Sequence, residues 1–158
     1  VWGDSQDTLA FETPEGIFNS PLNQSWSANG MNPALFEEFP DLQDDSYGTI
    51  VLDGPAEDSG IPGAVEPNWI DDSSLSPSLY EYFTSGGTGL NANSPAGVAW
   101  FLLHGDPNSF PVDGRWLIAQ ITTTGSISGQ IPVQIFPLGE QSNAIQQTFE
   151  FDGCGTFY

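Results

Sequence analysis

Residues 115–139, RWLIAQITTTGSISGQIPVQIFPLG, decide the fold class. Two apolar runs flank the link TTTGSISG, which is short and glycine-bearing enough to read as a β-hairpin. The first run, WLIAQI, is apolar on both faces and predicts a strand in the centre of a sheet. The second alternates, with Ile131, Val133 and Ile135 on one face and Gln130 and Gln134 on the other. Pro132 has no N–H for a ladder bond, which predicts that this strand is an edge or carries a bulge there.

Working outward, IQQTFEFDG (145–153) follows across LGEQSN, a second hairpin link, so the C-terminal half predicts an antiparallel meander. Upstream, VAWFLLHGD (98–106) predicts another central strand, while GTIVLDG (48–54) and DTLAFET (7–13) predict shorter ones. Two short helices are expected. In MNPALFEEFP (31–40), Asn32 caps, Pro33 suits the first turn and Pro40 stops the helix. In LSPSLYEYFTSGG (75–87), Ser76 and Pro77 repeat the arrangement, with Gly86 at the far end. The expected fold class is all-β: an antiparallel β-sandwich or jelly roll with one or two short helices, in a single domain over 1–158. Loops 53–76 and 84–97 would sit at its ends.

Charge narrows the function. The chain carries 21 acidic residues against one basic residue, Arg115, has no lysine, and reaches a formal net charge of −20. Binding to nucleic acid needs cationic side chains along the phosphates, so that class is excluded. Anionic membrane surfaces and phosphorylated ligands are disfavoured for the same reason. No apolar run approaches the roughly 18 residues of a membrane span. The 13% aromatic content argues against a disordered acidic tail. A lysine-free, acidic, aromatic-rich chain fits the outside of a cell or its surface, and Asn23-Gln24-Ser25 is a glycosylation acceptor triplet consistent with secretion.

Motifs for catalysis are sparse. GSISG (125–129) places Ile127 where a nucleophile elbow needs serine. The one histidine, His104, closes an apolar run and reads as a strand-end residue bonded to a neighbour. One histidine and one cysteine exclude a zinc site built on several such ligands. SGGTGLN (85–91) has no lysine and reads as a flexible loop rather than a phosphate cradle. Glu81 and Glu150 are the carboxylates a small glycosidase would use in opposition across a cleft, but in so acidic a chain each reads first as a solvated charge.

Binding has better candidates. DLQDD (41–45) and DGPAEDSG (53–60), with NWIDDSS (68–74), are loop-like acidic clusters of the kind Ca²⁺ takes, which makes Asp41, Asp44, Asp45, Asp53 and Asp58 candidate metal ligands. Trp26 and Trp69 lie in polar surroundings, where an indole can stack on a sugar ring or cover an open end of the core. Trp100 and Trp116, inside apolar runs, read as core residues.

Cys154 has no cysteine to pair with in the chain. A reactive thiol needs nearby positive charge, which this sequence lacks. Burial among Phe149, Phe151, Phe157 and Tyr158 is one expectation. An intermolecular disulfide is the sharper one, with the tail GTFY adding a strand to a neighbour's open edge.

The stretches NPALFEEFPDLQDDSYGTIVLDG (32–54) and RWLIAQITTTGSISGQIPVQIFPLG (115–139) resemble uncharacterised secreted proteins of aquatic microbes. Those chains place an acidic step and an aromatic residue before a short strand, with Tyr47 and Val51 in the matching positions here, and later a similar hairpin. The resemblance implies an extracellular β-rich protein and carries over no catalytic residues.

The leading expectation is a non-catalytic extracellular structural protein: a subunit of a filament, sheath or surface layer, partnered by itself and assisted by Ca²⁺. The alternatives are a carbohydrate-binding module for a polysaccharide and a small jelly-roll glycosidase.

Overall fold

The computed structural model describes residues 1–155. Its strands are β1 (Trp2–Gly3), β2 (Leu9–Glu12), β3 (Tyr47–Gly48), β4 (Asn68–Ile70), β5 (Gly89–Ala92), β6 (Val98–Phe101), β7 (Ala119–Gln120), β8 (Ser128–Ile135) and β9 (Ile145–Asp152). One α-helix, α1 (Leu79–Thr84), and several 3₁₀ turns complete the described chain. All strand pairs are antiparallel, in sheets of order β5-β2-β8-β9, β1-β6-β4 and β3-β7. The chain is therefore built mostly of strands in antiparallel sheets, with few helices.

β2 forms because its residues alternate. Leu9 and Phe11 are buried while Ala10 and Glu12 face the other way. It pairs with β5 from Leu9↔Ala92 to Glu12↔Gly89, and with β8 from Ala10↔Gln130 to Glu12↔Ser128. Its inner face joins one core with Leu90 and Ala92 of β5, Val98 and Trp100 of β6, and Leu79, Tyr82 and Phe83 of α1. Phe11 stacks on Tyr82 with centroids 5.6 Å apart and planes 9° apart. Each large side chain so buried contributes about 1.5–3 kcal/mol. Ala28, Met31, Leu42, Tyr47 and Leu52 make a second, smaller cluster.

β8 and β2 approach closely at Gly129, where a Cβ would lie 2.2 Å from the Ala10 carbonyl oxygen and 2.9 Å from Phe151 Cζ. Gly129→Ala must push backbone against backbone, so we expect a loss of roughly 1–3 kcal/mol on chemical denaturation. An unchanged midpoint would mean that β2 and β8 are not joined in this register.

Several expectations are met. Residues 98–101 form the central strand of their sheet, and 128–135 pairs with 145–152 across the LGEQSN link. Beyond residue 130, β8 has lost β2 and keeps β9 as its one neighbour, so Pro132 sits where the strand is an edge. Asn32 does cap its helix, accepting from the Ala34 N–H, although the helix is a 3₁₀ turn over Pro33–Leu35.

Others are corrected. The strand expected over 48–54 ends at Gly48, because Val51 turns into the left-handed region at φ 72°. That conformation strains a β-branched residue. The run 115–125 contributes two paired residues to β3 and no central strand. TTTGSISG consequently joins strands of different sheets and is no hairpin, and the C-terminal meander reduces to β8 and β9. Ser78, not Ser76, caps α1, through a capping box with Glu81. Strands β4 and β5 lie inside segments expected to be loops, including the glycine-rich 85–91.

Candidate functional site

β9 is an eight-residue strand at the end of its sheet, and among the described residues no strand pairs with its outer edge. Residues 145–150 are exposed throughout. Because β2 reaches only residue 130, residues 131–135 and 145–149 continue past the sheet as a two-stranded arm. Register places Ile131 opposite Phe149, Val133 opposite Gln147 and Ile135 opposite Ile145, so one face of the arm is apolar apart from Gln147. Phe149 is 39% exposed and Ile145 55%, and at the turn Leu138 reaches 85%. Phe110, Val112, Trp116 and Leu117 add exposed apolar surface from the preceding segment. His104 lies past the end of β6, exposed, with its ring against Gly139 of the arm's turn.

Charge is distributed unevenly over this geometry. Of the 21 acidic residues, only Glu140 falls between residues 114 and 149, a stretch that also contains the chain's one Lys or Arg residue, Arg115. The arm is thus near neutral on a chain of net charge −20. Sequence reasoning counted the charge over the whole chain and missed this gap, which was readable from the spacing of acids alone.

The calcium candidates are dispersed in role. Asp41, Asp44, Asp53 and Asp58 are exposed, whereas Asp45 is buried. Asp45 accepts from the Ser20 N–H and from Asn23 Nδ2, each at 2.6 Å. Among the described residues no three His, Cys, Asp or Glu side chains come together in a group able to hold a metal. Asn23 is itself buried, and its Nδ2, the atom a glycan would occupy, holds Asp45. A glycan on Asn23 would have to break that bond.

Trp26 is a core residue rather than an exposed platform: it is 6% exposed and packs on Trp100. Trp69 lies over it, centroids 5.6 Å apart, and is exposed. Trp116, expected in the core, is 40% exposed, because it precedes the two-residue strand β7 and lies in no strand itself. Glu81 accepts from the Ser78 N–H inside the helix cap, while Glu150 stands on the outer face of its sheet beside Gln130. α1 packs on the inner face through Tyr82 and Phe83, so the two glutamates do not face each other across a cleft. Glu12, Glu150 and Asp152 border an open groove on that outer face, and all three are exposed.

Cys154 is exposed, against the expectation of burial. Gly153, at φ 95°, turns the chain away just past β9. Phe157 and Tyr158, expected to pack on Cys154 or to add a strand, lie outside the described residues.

Two acids store a pH dependence. Burial pushes the Asp45 carboxyl up, offset in part by the Ser20 and Asn23 hydrogen bonds. Burial likewise raises Glu66, offset in part by the Ala56 N–H, which donates to Oε1, and by the nearby Ser27 hydroxyl. The folded state therefore binds protons more readily at both sites than the unfolded chain does. Stability contributed there is present at low pH and is lost as pH rises through the raised values. Asp4 and Asp72, lowered by hydrogen bonds from Asp7 and from Ser94 respectively, act in the opposite sense, and only below about pH 4. The α-amino group of Val1, lowered by burial to about 6, works against the two acids, because the stability it holds at higher pH is lost as pH falls through that value. Glu66→Gln removes one favourable protonation, so as pH falls from about 7 toward 5 its melting temperature should gain less, or lose more, than that of the unaltered protein. An identical pH dependence in the two proteins would exclude Glu66 as a source.

No helix among the described residues is long and apolar enough to cross a membrane. Comparison with protein families, with characterised proteins and with solved structures finds no match to this chain.

Proposed function

We propose that this chain is a non-catalytic extracellular structural subunit that assembles with copies of itself through the open edge of β9. The observation that carries the proposal is the coincidence, in one arm of a strongly acidic protein, of a strand edge over 145–149 that no other described strand covers, an exposed apolar face and a near-neutral stretch. An unpaired edge offers a row of N–H and C=O groups that another strand can satisfy. Monomeric proteins blunt such edges with charge, and this arm does not. The two larger sheets are taken as the layers of a sandwich in one domain, from which the arm projects.

Self-pairing suits the sequence of β9. An antiparallel pair centred on Gln147 sets Ile145 opposite Phe149 and Gln146 opposite Thr148, uniting the apolar faces. Glu150 and Asp152 then fall beyond the partner's strand. A pair centred on Glu150 would instead oppose the two carboxylates. In the favoured register the two Cys154 thiols lie at opposite ends of the paired strands. A disulfide between Cys154 residues would therefore link one pair to the next.

The acidic remainder of each copy opposes approach, so Ca²⁺, salt or acid would promote assembly. Sedimentation velocity on the full chain at low salt, in high salt and with added Ca²⁺ tests this. Larger species are expected as the charge is screened. A monomer under all three conditions, and at acid pH, overturns the proposal.

A further inference from the structure

A second exposed surface lies in the other large sheet and involves none of the arm. Trp69 on β4 and Tyr80 on α1 are 43% and 42% exposed, with centroids 6.0 Å apart and planes within 27°. Their relative position is held from several sides. Beneath, Trp69 rests on buried Trp26, which in turn meets Trp100. Two residues along from Trp69, the Asp71 carboxylate accepts from the N–H groups of Leu79 at 2.8 Å and Tyr80 at 3.1 Å. β4 is thereby tied to the first turn of the helix that carries Tyr80. The Tyr80 hydroxyl donates to the Gln24 carbonyl at 3.3 Å, which fixes the ring's outer end. The two rings stack on each other and each is left partly in water, an arrangement that packing alone does not require.

Tyr80 also borders a shallow groove of about 710 Å³. Asn19, Ser20, Asn23, Gln24, Thr84 and Ser85 contribute its polar lining, and none of the described lining residues is charged. Gln24 and Ser85, which carry an amide and a hydroxyl, are exposed members of this lining. In a chain with 21 acids, a groove free of carboxylates beside two exposed aromatic rings is a selective environment. It matches a ligand with flat C–H faces and a rim of neutral hydroxyls. An anionic ligand is opposed by the net charge, and a cationic one finds no carboxylate in the groove.

We propose that Trp69 and Tyr80 form a binding platform for a neutral hexose ring of a polysaccharide. The sugar stacks its C–H face on the aromatic rings, and the neighbouring hydroxyls or the next sugar reach the amide and hydroxyl groups of the groove. No bond is made or broken. The site stands apart from β9, so it allows a subunit to hold a glycan whether or not it is assembled.

Titration of the full-length protein with cellohexaose, chitohexaose and laminarihexaose, read by tryptophan fluorescence, tests the platform. At least one of these glycans should bind, and Trp69→Ala and Tyr80→Ala should each weaken binding about tenfold or more. Trp116→Ala, which removes an exposed indole elsewhere, should bind as the unaltered protein does. Trp69 contacts the core residue Trp26, so its variant could lose stability. Tyr80 is exposed on a helix that tolerates alanine, and its variant decides the matter if Trp69→Ala melts early. Absence of binding by all three glycans up to about 10 mM, or undiminished binding by Tyr80→Ala, overturns the proposal. Loss of assembly in a β9 variant that still binds the glycan would leave this site standing on its own.

Discussion

Replacing Ile145 and Phe149 together with glutamate should leave the protein monomeric under screening conditions in which the unaltered chain associates. Both side chains lie on the apolar face of the arm, and both are exposed in the single chain, at 55% and 39%. Burial of one such side chain between copies is worth about 1.5–3 kcal/mol, so losing two weakens association by roughly 100-fold or more. The two new carboxylates also place like charge where the acidic copies now meet almost none. Exposed positions away from special features shift folding stability by only about 0.5 kcal/mol, so the monomer should unfold as before. Leu22→Glu with Val65→Glu is the matched control. It adds the same charge at apolar positions that are 45% and 37% exposed but lie off the arm. Sedimentation of both double variants separates the explanations. If the control dissociates as fully as the arm variant, overall charge governs assembly and the β9 edge does not.

The largest expected effect on stability belongs to Trp100. Its side chain is fully buried, edge-on to Phe83 at 6.4 Å and 89°, and packed on Trp26. The indole Nε1–H donates to two carbonyls, those of Thr49 and Ile118, each at 3.1 Å. Thr49 follows β3 and Ile118 precedes β7, so one nitrogen fastens both arms of the small sheet to the centre of the β1-β6-β4 sheet. Trp100→Phe keeps an aromatic ring but leaves both carbonyls without this donor and opens a void where the larger ring stood. Each change is of the order of 1–3 kcal/mol, giving a combined loss of about 3–5 kcal/mol. For a chain of this size that corresponds to a fall in melting temperature of roughly 10–15 °C. Trp116→Phe makes a useful contrast. Trp116 also donates to a carbonyl, that of Ser109 at 3.1 Å, but at an exposed site where water replaces the bond. Equilibrium denaturation should show a small change there and a large one at Trp100. Comparable midpoints for the two variants would mean that the Trp100 indole does not hold the small sheet in place.

Some of this architecture was legible one residue at a time. The alternation of Leu9 to Glu12 and of Gln130 to Ile135 identified strands, because a period of two is a local property of an extended chain. The pairing of 128–135 with 145–152 was legible because the two strands are neighbours in sequence, joined by a turn. Pro132 marked an edge because its ring carries no N–H, whatever surrounds it. The lack of lysine excluded nucleic acid on composition alone.

Partners remote in sequence were not legible. WLIAQI is as apolar as VAWFLL, yet VAWF became the centre of a sheet while Trp116 and Leu117 stayed exposed. Apolar character records a preference to leave water, and it does not say which surface does the covering. Trp26 and Trp69 both sit in polar stretches, and only the pairing of β4 beside β6, with Trp69 opposite Trp100, brought Trp69 onto Trp26. Asp45 looked like its acidic neighbours until folding brought Ser20 and Asn23 to its two oxygens. Sequence by itself therefore determined the strand-forming segments, the local hairpin and the charge. Tertiary structure decided which apolar faces are covered, which acid is buried and which edge of a sheet has no partner strand among the described residues. Those outcomes depend on contacts between residues far apart along the chain, and local periodicity carries no record of them.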